Sequence, residues 1–266
     1  MEQHELDENL TELEDFITTC KTKSHYEGLV FPGDMFKGWQ ENKSIENKYA
    51  KWIMSESNCP SLVLNIPVPH KEMAAEAEQF IGRNEFGKLY VKHRGGWNPG
   101  WSSIVVHGQD TDRTQPNNYY IERGIDTEEN SRPYNWTSIA PACPVTVKWL
   151  KEVFPFNTYH RVRFMLLEPG GYIKPHQDFD RRSMAAFNVS LSNPPGVEFA
   201  QEEAGLIPWQ PGEARGIDIG RLHAVINRGT ENRIHMIVHG LWGEGFERHI
   251  CESFDALLIN IATIND

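Results

Sequence analysis

The C-terminal half of the chain constrains the fold most, because from about residue 158 it consists of short alternating segments divided by turns. The segments "YHRVRFMLL" and "YIKPH" flank a turn at residues 169–171, and "AAFNVSLSN" and "VEFAQ" flank another at 194–196. Alternation with period two over short segments is typical of strands with one buried face. Short strands with frequent glycine and proline turns predict an antiparallel sandwich or barrel.

The first 155 residues contain three segments with helical character. These are "ENLTELEDFITTCKTK", "HKEMAAEAEQFIGRN" and "CPVTVKWLKEVFP", which combine helical apolar spacing, good helix formers and bounding prolines. The sequence therefore predicts an α+β protein with a double-stranded β-helix, or cupin-like jelly-roll core, and a helical N-terminal half packed on it. We expect a single domain over 1–266. Within it, 1–135 supplies mixed helical support and substrate loops, 136–250 the jelly-roll core and 251–266 a tail.

Composition and charge exclude several classes of partner. Apolar residues make up 39% of the chain and charged residues 24%, so a sizeable core is available. The net charge of −11 disfavours nucleic acid, because phosphate contacts need clustered lysine and arginine. No apolar run reaches 18 residues, the acidic start is unlike a secretory signal, and the four cysteines are scattered. We expect a cytoplasmic protein that binds neither nucleic acid nor membrane.

The segment "YIKPHQDFD" contains the residues that most strongly suggest chemistry. If His176 and Asp178 both lie in a strand, their side chains point to the same side and offer one nitrogen and one oxygen ligand. Such a pair also occurs on ordinary surface turns, so a metal site requires a third ligand from elsewhere in the chain.

The segment "RLHAVINRGTENRIHMIVHG" offers that ligand if it forms a hairpin. A turn centred near Gly229, a residue that tolerates positive φ, would place His223 opposite His235 and Val225 opposite Arg233. In that register the four side chains share one face, and His223 lies diagonal to Arg233.

These residue types fit a particular kind of metal site. Two histidines and one carboxylate, with coordination positions left open, suit non-haem Fe(II) that activates oxygen. A guanidinium nearby would bind a carboxylate through two hydrogen bonds, as a dicarboxylate co-substrate requires.

The spacing of these residues resembles that of the 2-oxoglutarate/Fe(II)-dependent oxygenases. His223 follows His176 by 47 residues and Arg233 follows His223 by ten. The flanking segments "RVRFMLLEPGGYIKPHQD" and "PGEARGIDIGRLHAVINRGTENRIHMIVHG" are similar to the aspartyl/asparaginyl β-hydroxylase branch, which includes bacterial enzymes that hydroxylate free proline. The resemblance covers roughly residues 136–242.

The resemblance implies a function and a set of roles. His176, Asp178 and His223 would hold Fe(II), and Arg233 would bind the far carboxylate of 2-oxoglutarate. With O₂, the enzyme would convert 2-oxoglutarate to succinate and CO₂ while hydroxylating its substrate. That substrate would be a small molecule or a peptide, namely an amino acid or an Asp, Asn or Pro residue.

The chain departs from the family pattern at two places. The branch often carries Arg-x-His after the first ligand pair, and here Ala186 and Asn188 occupy those positions. Asn188 could still donate a hydrogen bond to the co-substrate. Many members of the superfamily have a serine two residues after the arginine, where this chain has His235, which would take over that contact.

Two other functions and the substrate site stay open at this stage. A non-catalytic cupin-like protein could use the same barrel to bind a metal or a ligand, and a metal-dependent isomerase or hydrolase would need no co-substrate. We expect Arg233 to discriminate, since neither alternative requires a buried guanidinium there. The candidates for reading an amino-acid substrate are three arginines and three tryptophans, with His107 near them: Arg94, Arg123, Arg163, Trp97, Trp101 and Trp136.

Overall fold

The protein is described from a computed structural model, which covers residues 3–81, 87–91, 96–115, 117–127, 132–178, 184 and 186–265. The model contains six α-helices within these ranges. They are α1 (Gln3–Cys20), α2 (Lys43–Ser55), α3 (His70–Ile81), α4 (Asn117–Glu122), α5 (Pro144–Glu152) and α6 (Phe246–Asn265). None of the helices in these ranges has both the length and the apolar character that crossing a bilayer requires.

Twelve strands form two antiparallel sheets that face each other. The major sheet has the order β1-β10-β7-β12-β5-β3-β2, with β4 paired to β3, and the minor sheet has the order β6-β11-β8-β9. The strands are β1 (Ser61–Val63), β2 (Gly87–Val91), β3 (Gly96–Gly108), β4 (Asn135–Trp136), β5 (Phe156–Leu167), β6 (Tyr172–His176), β7 (Ala186–Ser192), β8 (Val197–Gln201), β9 (Gly205–Leu206), β10 (Ala214–Ile217), β11 (His223–Asn227) and β12 (Arg233–Trp242). The predicted α+β class with a jelly-roll core is confirmed.

Alternation along the strands divides the apolar residues between two layers. On β5, Phe164 and Leu166 point outward into the core shared with the helices, whereas Met165 and Leu167 point inward. The inward residues of the major sheet pack against residues of the minor sheet such as Val225. Strands buried on both faces explain why "VRFMLL" is continuously apolar after Arg163.

Helix α1 covers the outer face of the minor sheet. Its residues Leu13, Ile17 and Cys20 are buried against that sheet, together with Ala224 and Ile226 of β11. The spacing of these three residues places them on one side of a helix, so the predicted amphipathic helix is confirmed. The minor sheet is therefore held between α1 and the major sheet.

The other two predicted helices are also confirmed, and a buried carboxylate joins them. Helix α5 begins at Pro144, and the free amides of its first turn are capped by Glu76 of α3. The Glu76 carboxylate accepts hydrogen bonds from Thr146 N at 2.9 Å and Thr146 Oγ1 at 2.6 Å. A negative charge at the start of a helix is stabilised by the amides and the dipole, which explains why a glutamate is buried there.

The predicted hairpin across residue 229 is wrong, because its two strands belong to different sheets. Strand β11 pairs with β6 and β8, while β12 pairs with β5 and β7. His223 therefore does not face His235. Gly229 also lacks the positive φ expected of it. It is instead needed for close approach, since a Cβ there would lie 2.3 Å from the carbonyl oxygen of Pro195.

The core extends beyond the predicted 136–250, in both directions. Strands β1, β2 and β3, all before residue 109, belong to the major sheet. The predicted tail is part of α6, which packs on α2, where Tyr49 donates a hydrogen bond to Asp255 Oδ1 at 2.7 Å. A strand such as β3 is hard to recognise from sequence because its length and pairing depend on β5 beside it.

The side chain of Asn227 closes one end of the barrel through hydrogen bonds. Its side-chain amide donates to the carbonyl oxygens of Leu167 at 3.0 Å and Glu231 at 2.8 Å, and its Oδ1 accepts from Gly229 N. We call this the closed end. Asn227 is completely buried, so this last residue of β11 joins the two sheets from inside the core.

Candidate metal centre and its surroundings

Two of the three predicted metal ligands face each other on neighbouring strands. His176 ends β6 and His223 begins β11, and the two residues are direct partners in the antiparallel register. Their imidazole ring centroids are 4.2 Å apart. Both therefore lie at the end of the minor sheet opposite the closed end, and we call this opposite end the mouth.

The same local contact orients both imidazoles. His176 Nδ1 lies 2.7 Å from the carbonyl oxygen of Lys174, and His223 Nδ1 lies 2.9 Å from that of Arg221. A carbonyl can only accept, so each Nδ1 carries a proton and Nε2 is the ring nitrogen that can ligate a metal. Fixing the tautomer through the far ring nitrogen is how proteins prepare histidine as a metal ligand.

Asp178 completes the cluster from just beyond the strand. The prediction placed His176 and Asp178 in one strand, but β6 ends at His176. The backbone instead continues along the 219 turn, where Asp178 N donates to the carbonyl oxygen of Ile219 at 3.0 Å. One ligand atom from each of His176, Asp178 and His223 lies within 4.8 Å of the others.

A buried ion pair supports the turn that leads into His223. Arg221 is 3% exposed and Asp218 is 4% exposed, with Arg221 Nε 3.2 Å from Asp218 Oδ2. The guanidinium also donates to the carbonyl oxygen of Asn58 at 3.1 Å. The carbonyl that orients His223 belongs to Arg221, so this network fixes the position of the ligand. The sequence interpretation missed it, and "RGIDIGR" contained the charges but no sign of their burial.

Arg233 lies at the closed end and has no carboxylate partner among the described residues. It begins β12, pairs with Leu167 and is 1% exposed. Its Nη1 donates to His235 Nδ1 at 3.0 Å, its guanidinium carbon lies 5.9 Å from the centroid of the Trp209 ring, and its Nε has no hydrogen-bond partner. Burial lowers the pKa of Arg233 to about 10, so the group stays charged near neutral pH.

His235 is a neutral acceptor next to this guanidinium. It is buried, and burial together with the nearby Arg233 and Arg163 holds its pKa well below the ordinary value. A neutral imidazole that accepts at Nδ1 must carry its proton on Nε2. His235 thus lies beside Arg233, where a contact with the same bound carboxylate is sterically reasonable.

Other buried polar atoms with no hydrogen-bond partner in the described part of the chain lie on the interior walls near Arg233. They are Trp101 Nε1, Ser103 Oγ and Trp209 Nε1. Trp101 pairs with Leu167, which pairs in turn with Arg233, and Ser103 stands in the next row with His235. Buried donors without acceptors are costly. A bound molecule with carboxylate oxygens would satisfy them. Sequence reasoning named Trp101 only as a substrate wall and missed Ser103 and Trp209.

Asn188 and Arg163 lie further from the closed end on the same inner wall. Asn188 pairs with Ile237, which pairs with Arg163, and both polar residues are buried. Ala186 lies at the mouth end of β7, opposite Ile217. Of the positions that differ from the family pattern, Asn188 is therefore an interior position, placed where it could contact a ligand.

The other predicted substrate residues are distributed differently. Arg123 is exposed and follows α4 directly, with its guanidinium carbon 3.7 Å from the centroid of the Tyr119 ring in that helix. Trp136 and His107 pack together, with ring centroids 4.8 Å apart. This packing favours a structural role for Trp136 and His107 over the predicted role in reading the substrate. Arg94 and the side chain of Trp97 lie outside the described residues.

The comparisons agree with this geometry. The family model for aspartyl/asparaginyl beta-hydroxylase matches residues 70–241. The chain belongs to this family. No individual curated protein sequence matches it significantly.

Solved structures with similar architecture are distant in sequence. A 2OG-Fe(II) oxygenase family oxidoreductase from Burkholderia pseudomallei is 9% identical, with a TM-score of 0.43, and the alignment covers 73% of this chain and 88% of that one. A Pseudomonas putida prolyl-4-hydroxylase is 12% identical, with a TM-score of 0.41 and coverages of 73% and 97%. A Trichoplax adhaerens prolyl hydroxylase, in complex with a hypoxia inducible factor peptide fragment, is 12% identical, with a TM-score of 0.40 and coverages of 80% and 96%.

The donor set fits ferrous iron. Two imidazoles and one carboxylate would supply three ligands, the donor set that suits a non-haem Fe(II) site with open coordination positions. The buried guanidinium and the unpartnered donors at the closed end fit the far part of a dicarboxylate. The residues are therefore compatible with both Fe(II) and 2-oxoglutarate.

Proposed function

We propose that this chain is an Fe(II)- and 2-oxoglutarate-dependent dioxygenase. It hydroxylates a free amino acid, or an Asp, Asn or Pro residue in a peptide, and releases succinate and CO₂. His176, Asp178 and His223 hold the iron, Arg233 and His235 bind the far carboxylate of 2-oxoglutarate, and Asn188 contributes a hydrogen bond.

The observation that carries the proposal is the combination of the ligand cluster with an uncompensated buried cation. Ligand atoms of His176, Asp178 and His223 lie within 4.8 Å of one another at the mouth, and Arg233 is 1% exposed at the closed end. A buried charge without a partner is strongly unfavourable. An anionic co-substrate that extends from the metal to Arg233 would supply the missing charge.

The described contacts assign a physical task to each side chain. The two imidazoles present Nε2 because backbone carbonyls hold Nδ1–H. Arg233 is aligned by the acceptor His235 Nδ1 and by the Trp209 ring, so its free N–H groups are already oriented for a planar carboxylate. Little side-chain entropy remains to be lost on binding.

The reaction itself belongs to the bound groups. Iron and 2-oxoglutarate together supply the oxidation in which O₂ is consumed, 2-oxoglutarate becomes succinate and CO₂, and a substrate C–H bond becomes C–OH. The chain contributes ligation, orientation and exclusion of water. The apolar residues around the pocket, including Leu167, Phe199 and Val225, serve the last purpose.

Arg233 is also evidence against the two other functions, a non-catalytic cupin-like binding protein and a metal-dependent isomerase or hydrolase. A cupin-like binding protein or a metal-dependent hydrolase could use the same three ligands, but neither explains a guanidinium buried ten residues after His223. The unpartnered donors of Trp101 and Trp209 beside it point the same way. We therefore favour an enzyme with a dicarboxylate co-substrate.

The test is formation of succinate from 2-oxoglutarate, with Fe(II), ascorbate and O₂. We expect His176→Ala and His223→Ala to lose both iron binding and turnover, and Asp178→Ala to be severely impaired. His249→Ala, a histidine on α6 away from the cluster, is the matched control and should behave as the wild type. Full turnover in either ligand variant would refute the site, and failure of the wild type to consume 2-oxoglutarate would refute the function.

A further inference from the structure

The turn at residues 218–221, which leads into β11, contacts two of the three predicted metal ligands through its backbone. We call it the ligand turn. The Ile219 oxygen accepts a hydrogen bond from Asp178 N at 3.0 Å. Two residues further along, the Arg221 oxygen accepts a hydrogen bond from His223 Nδ1 at 2.9 Å. One short segment therefore contacts a ligand of each kind, a carboxylate residue and an imidazole.

The carbonyl between these two binds the side chain of Gln177. The amide Nε2 of Gln177 donates to the Gly220 oxygen at 2.6 Å. Gln177 is the residue between His176 and Asp178, so it lies between the two ligands that this part of the chain supplies. Three successive carbonyl oxygens of the ligand turn thus accept hydrogen bonds from two metal ligands and from the residue that connects one of them to the third.

The residues that carry the carboxylate lie outside the regular strand. Strand β6 ends at His176, so Gln177 and Asp178 follow the last residue of the sheet ladder, and both are exposed. An exposed backbone beyond the end of a strand has several conformations available to it unless contacts restrain it. The bond from the Asp178 backbone and the bond from the Gln177 side chain restrain two consecutive residues against the same turn.

The ligand turn is itself fixed by buried hydrogen bonds. Asp218 Oδ1 accepts from Gly220 N at 3.2 Å, and the Asp218 oxygen accepts from Arg221 N at 3.3 Å. The completely buried side chain of Gln201 also donates to the Asp218 oxygen, at 2.8 Å. Asp218 N donates to the Pro60 oxygen at 2.9 Å. The carbonyls of the turn therefore form a rigid frame for the residues that bond to them.

We propose that Gln177 is a positioning residue of the metal centre. Its bond to the ligand turn holds the Asp178 carboxylate at the distance and angle from the two histidines that a metal requires. The inference rests on the proposed function and deepens it. Gln177 acts through its neighbour, because its amide nitrogen is bonded to Gly220. Loss of a partner that orients a metal ligand typically weakens metal binding by about 10- to 100-fold.

The test is a titration of the metal-free protein with Co(II), in the absence of O₂ and 2-oxoglutarate. Gln177→Met keeps the length of the side chain but removes the donor. Gln177→Asn keeps the amide but is one methylene shorter, so it should not reach Gly220. We expect both variants to bind Co(II) about tenfold or more weakly than the wild type. Gln40→Met, which alters an exposed glutamine beside α2, is the matched control and should bind Co(II) as the wild type does.

Two further measurements separate positioning of a ligand from support of the fold. The visible absorption spectrum of bound Co(II) depends on the number and geometry of its ligands, so at saturating metal it should differ between Gln177→Met and the wild type. The Tm of metal-free Gln177→Met should lie within about 3 °C of the wild-type value, because an exposed side chain loses one hydrogen bond.

Equal Co(II) affinity in the wild type and Gln177→Met would overturn the inference, and so would an unchanged spectrum at saturation. A larger fall in the metal-free Tm of Gln177→Met would also overturn it, because Gln177 would then support the fold. Absence of Co(II) binding by the wild type would remove the metal site itself. Failure of the proposed function has a different signature: the wild type would bind Co(II) more tightly than Gln177→Met, yet with Fe(II) it would form no succinate from 2-oxoglutarate.

Discussion

Two pairs of arginines in this molecule, all buried except the half-buried Arg161, differ in what neutralises them. Arg215 and Arg221 each have a carboxylate, with Arg215 Nη2 2.8 Å from Glu213 Oε2 and Arg221 Nε 3.2 Å from Asp218 Oδ2. Arg233 and Arg161 instead donate to a histidine nitrogen and a backbone carbonyl. All four carry the same formal charge, so the difference lies in the partner that the chain supplies.

The contrast separates arginines that stabilise the fold from arginines that are available to bind a ligand. Arg215 and Arg221 connect β10 and the 218–223 turn to the segment around residues 58–61, through Ser61 and Asn58. Their charges are satisfied in the free protein. Arg233 is 1% exposed and has no carboxylate partner among the described residues, so its negative charge has to come from outside. The half-buried Arg161 also lacks an ion pair within the described ranges, and its hydrogen bond is to a backbone carbonyl.

We expect the largest change in stability when an arginine that has a carboxylate partner is replaced. Arg221→Met should lower the free energy of unfolding by about 3–5 kcal/mol, because it leaves the buried Asp218 carboxylate without its counter-charge. Chemical denaturation measures the change. The double variant Arg221→Met with Asp218→Asn should recover part of the loss, since the orphaned charge is gone. A loss below about 1 kcal/mol in the single variant would mean that Arg221 is not a structural ion pair.

The next largest effect is on the pH dependence of stability. It involves His25, which contacts the same Ser61 hydroxyl as Arg215. His25 lies between Ser61 Oγ at 2.7 Å and the carbonyl oxygen of Ala204 at 2.9 Å, and burial lowers its pKa to about 4 from an ordinary value of 6.5. Between these values the unfolded chain binds more protons than the folded one, so stability falls as pH drops from about 6.5 to about 4. His25→Gln should flatten the Tm profile in that window. An unchanged slope would exclude His25 as its source.

Among the uncompensated arginines, Arg233→Lys separates charge from shape. An ammonium keeps the positive charge but cannot present two parallel N–H donors to a carboxylate. We expect KM for 2-oxoglutarate to rise by about tenfold, which is less than the rise caused by removing the charge. Steady-state succinate formation measures it. Wild-type KM in the lysine variant would show that the planar fork is not used.

The smallest effect is on the stability of the free protein when Arg233 is replaced. Arg233→Met should change the free energy of unfolding by no more than about 1 kcal/mol, because the lost contact with Trp209 is offset by removal of an unpaired charge. Denaturant unfolding without 2-oxoglutarate is the measurement. A loss as large as that of Arg221→Met would mean that Arg233 is also structural, and the distinction between the two pairs would fail.

Local properties of the chain were predictable from its sequence. The amphipathic spacing of Leu13 and Ile17 predicted α1, and the alternation on β5 and the glycine turn after it predicted two strands. The residue types of His176, Asp178 and His223 predicted a ligand cluster, and ligand atoms of the three residues lie within 4.8 Å of one another. These features depend on periodicity and on short-range backbone preferences, both of which are visible in sequence.

Long-range pairing could not be predicted in the same way. The segment around Gly229 looked like a hairpin because two strands with a glycine between them usually pair, yet β11 and β12 join different sheets. Likewise, nothing in the residue types of Trp209 or Arg161 showed that both point into the interior. Such facts depend on which strands are neighbours, and that choice is made by the whole core rather than by any one segment.

The most direct test of the central claim is the affinity of the Mn(II)-bound protein for 2-oxoglutarate in the absence of oxygen. Titration calorimetry can compare the wild type, Arg233→Met and the exposed-arginine control Arg123→Met. If the missing partner of Arg233 is the far carboxylate of 2-oxoglutarate, Arg233→Met should bind it roughly thirtyfold more weakly or worse, with Arg123→Met unchanged and metal binding retained in both. Equal affinity in the wild type and Arg233→Met would contradict the account.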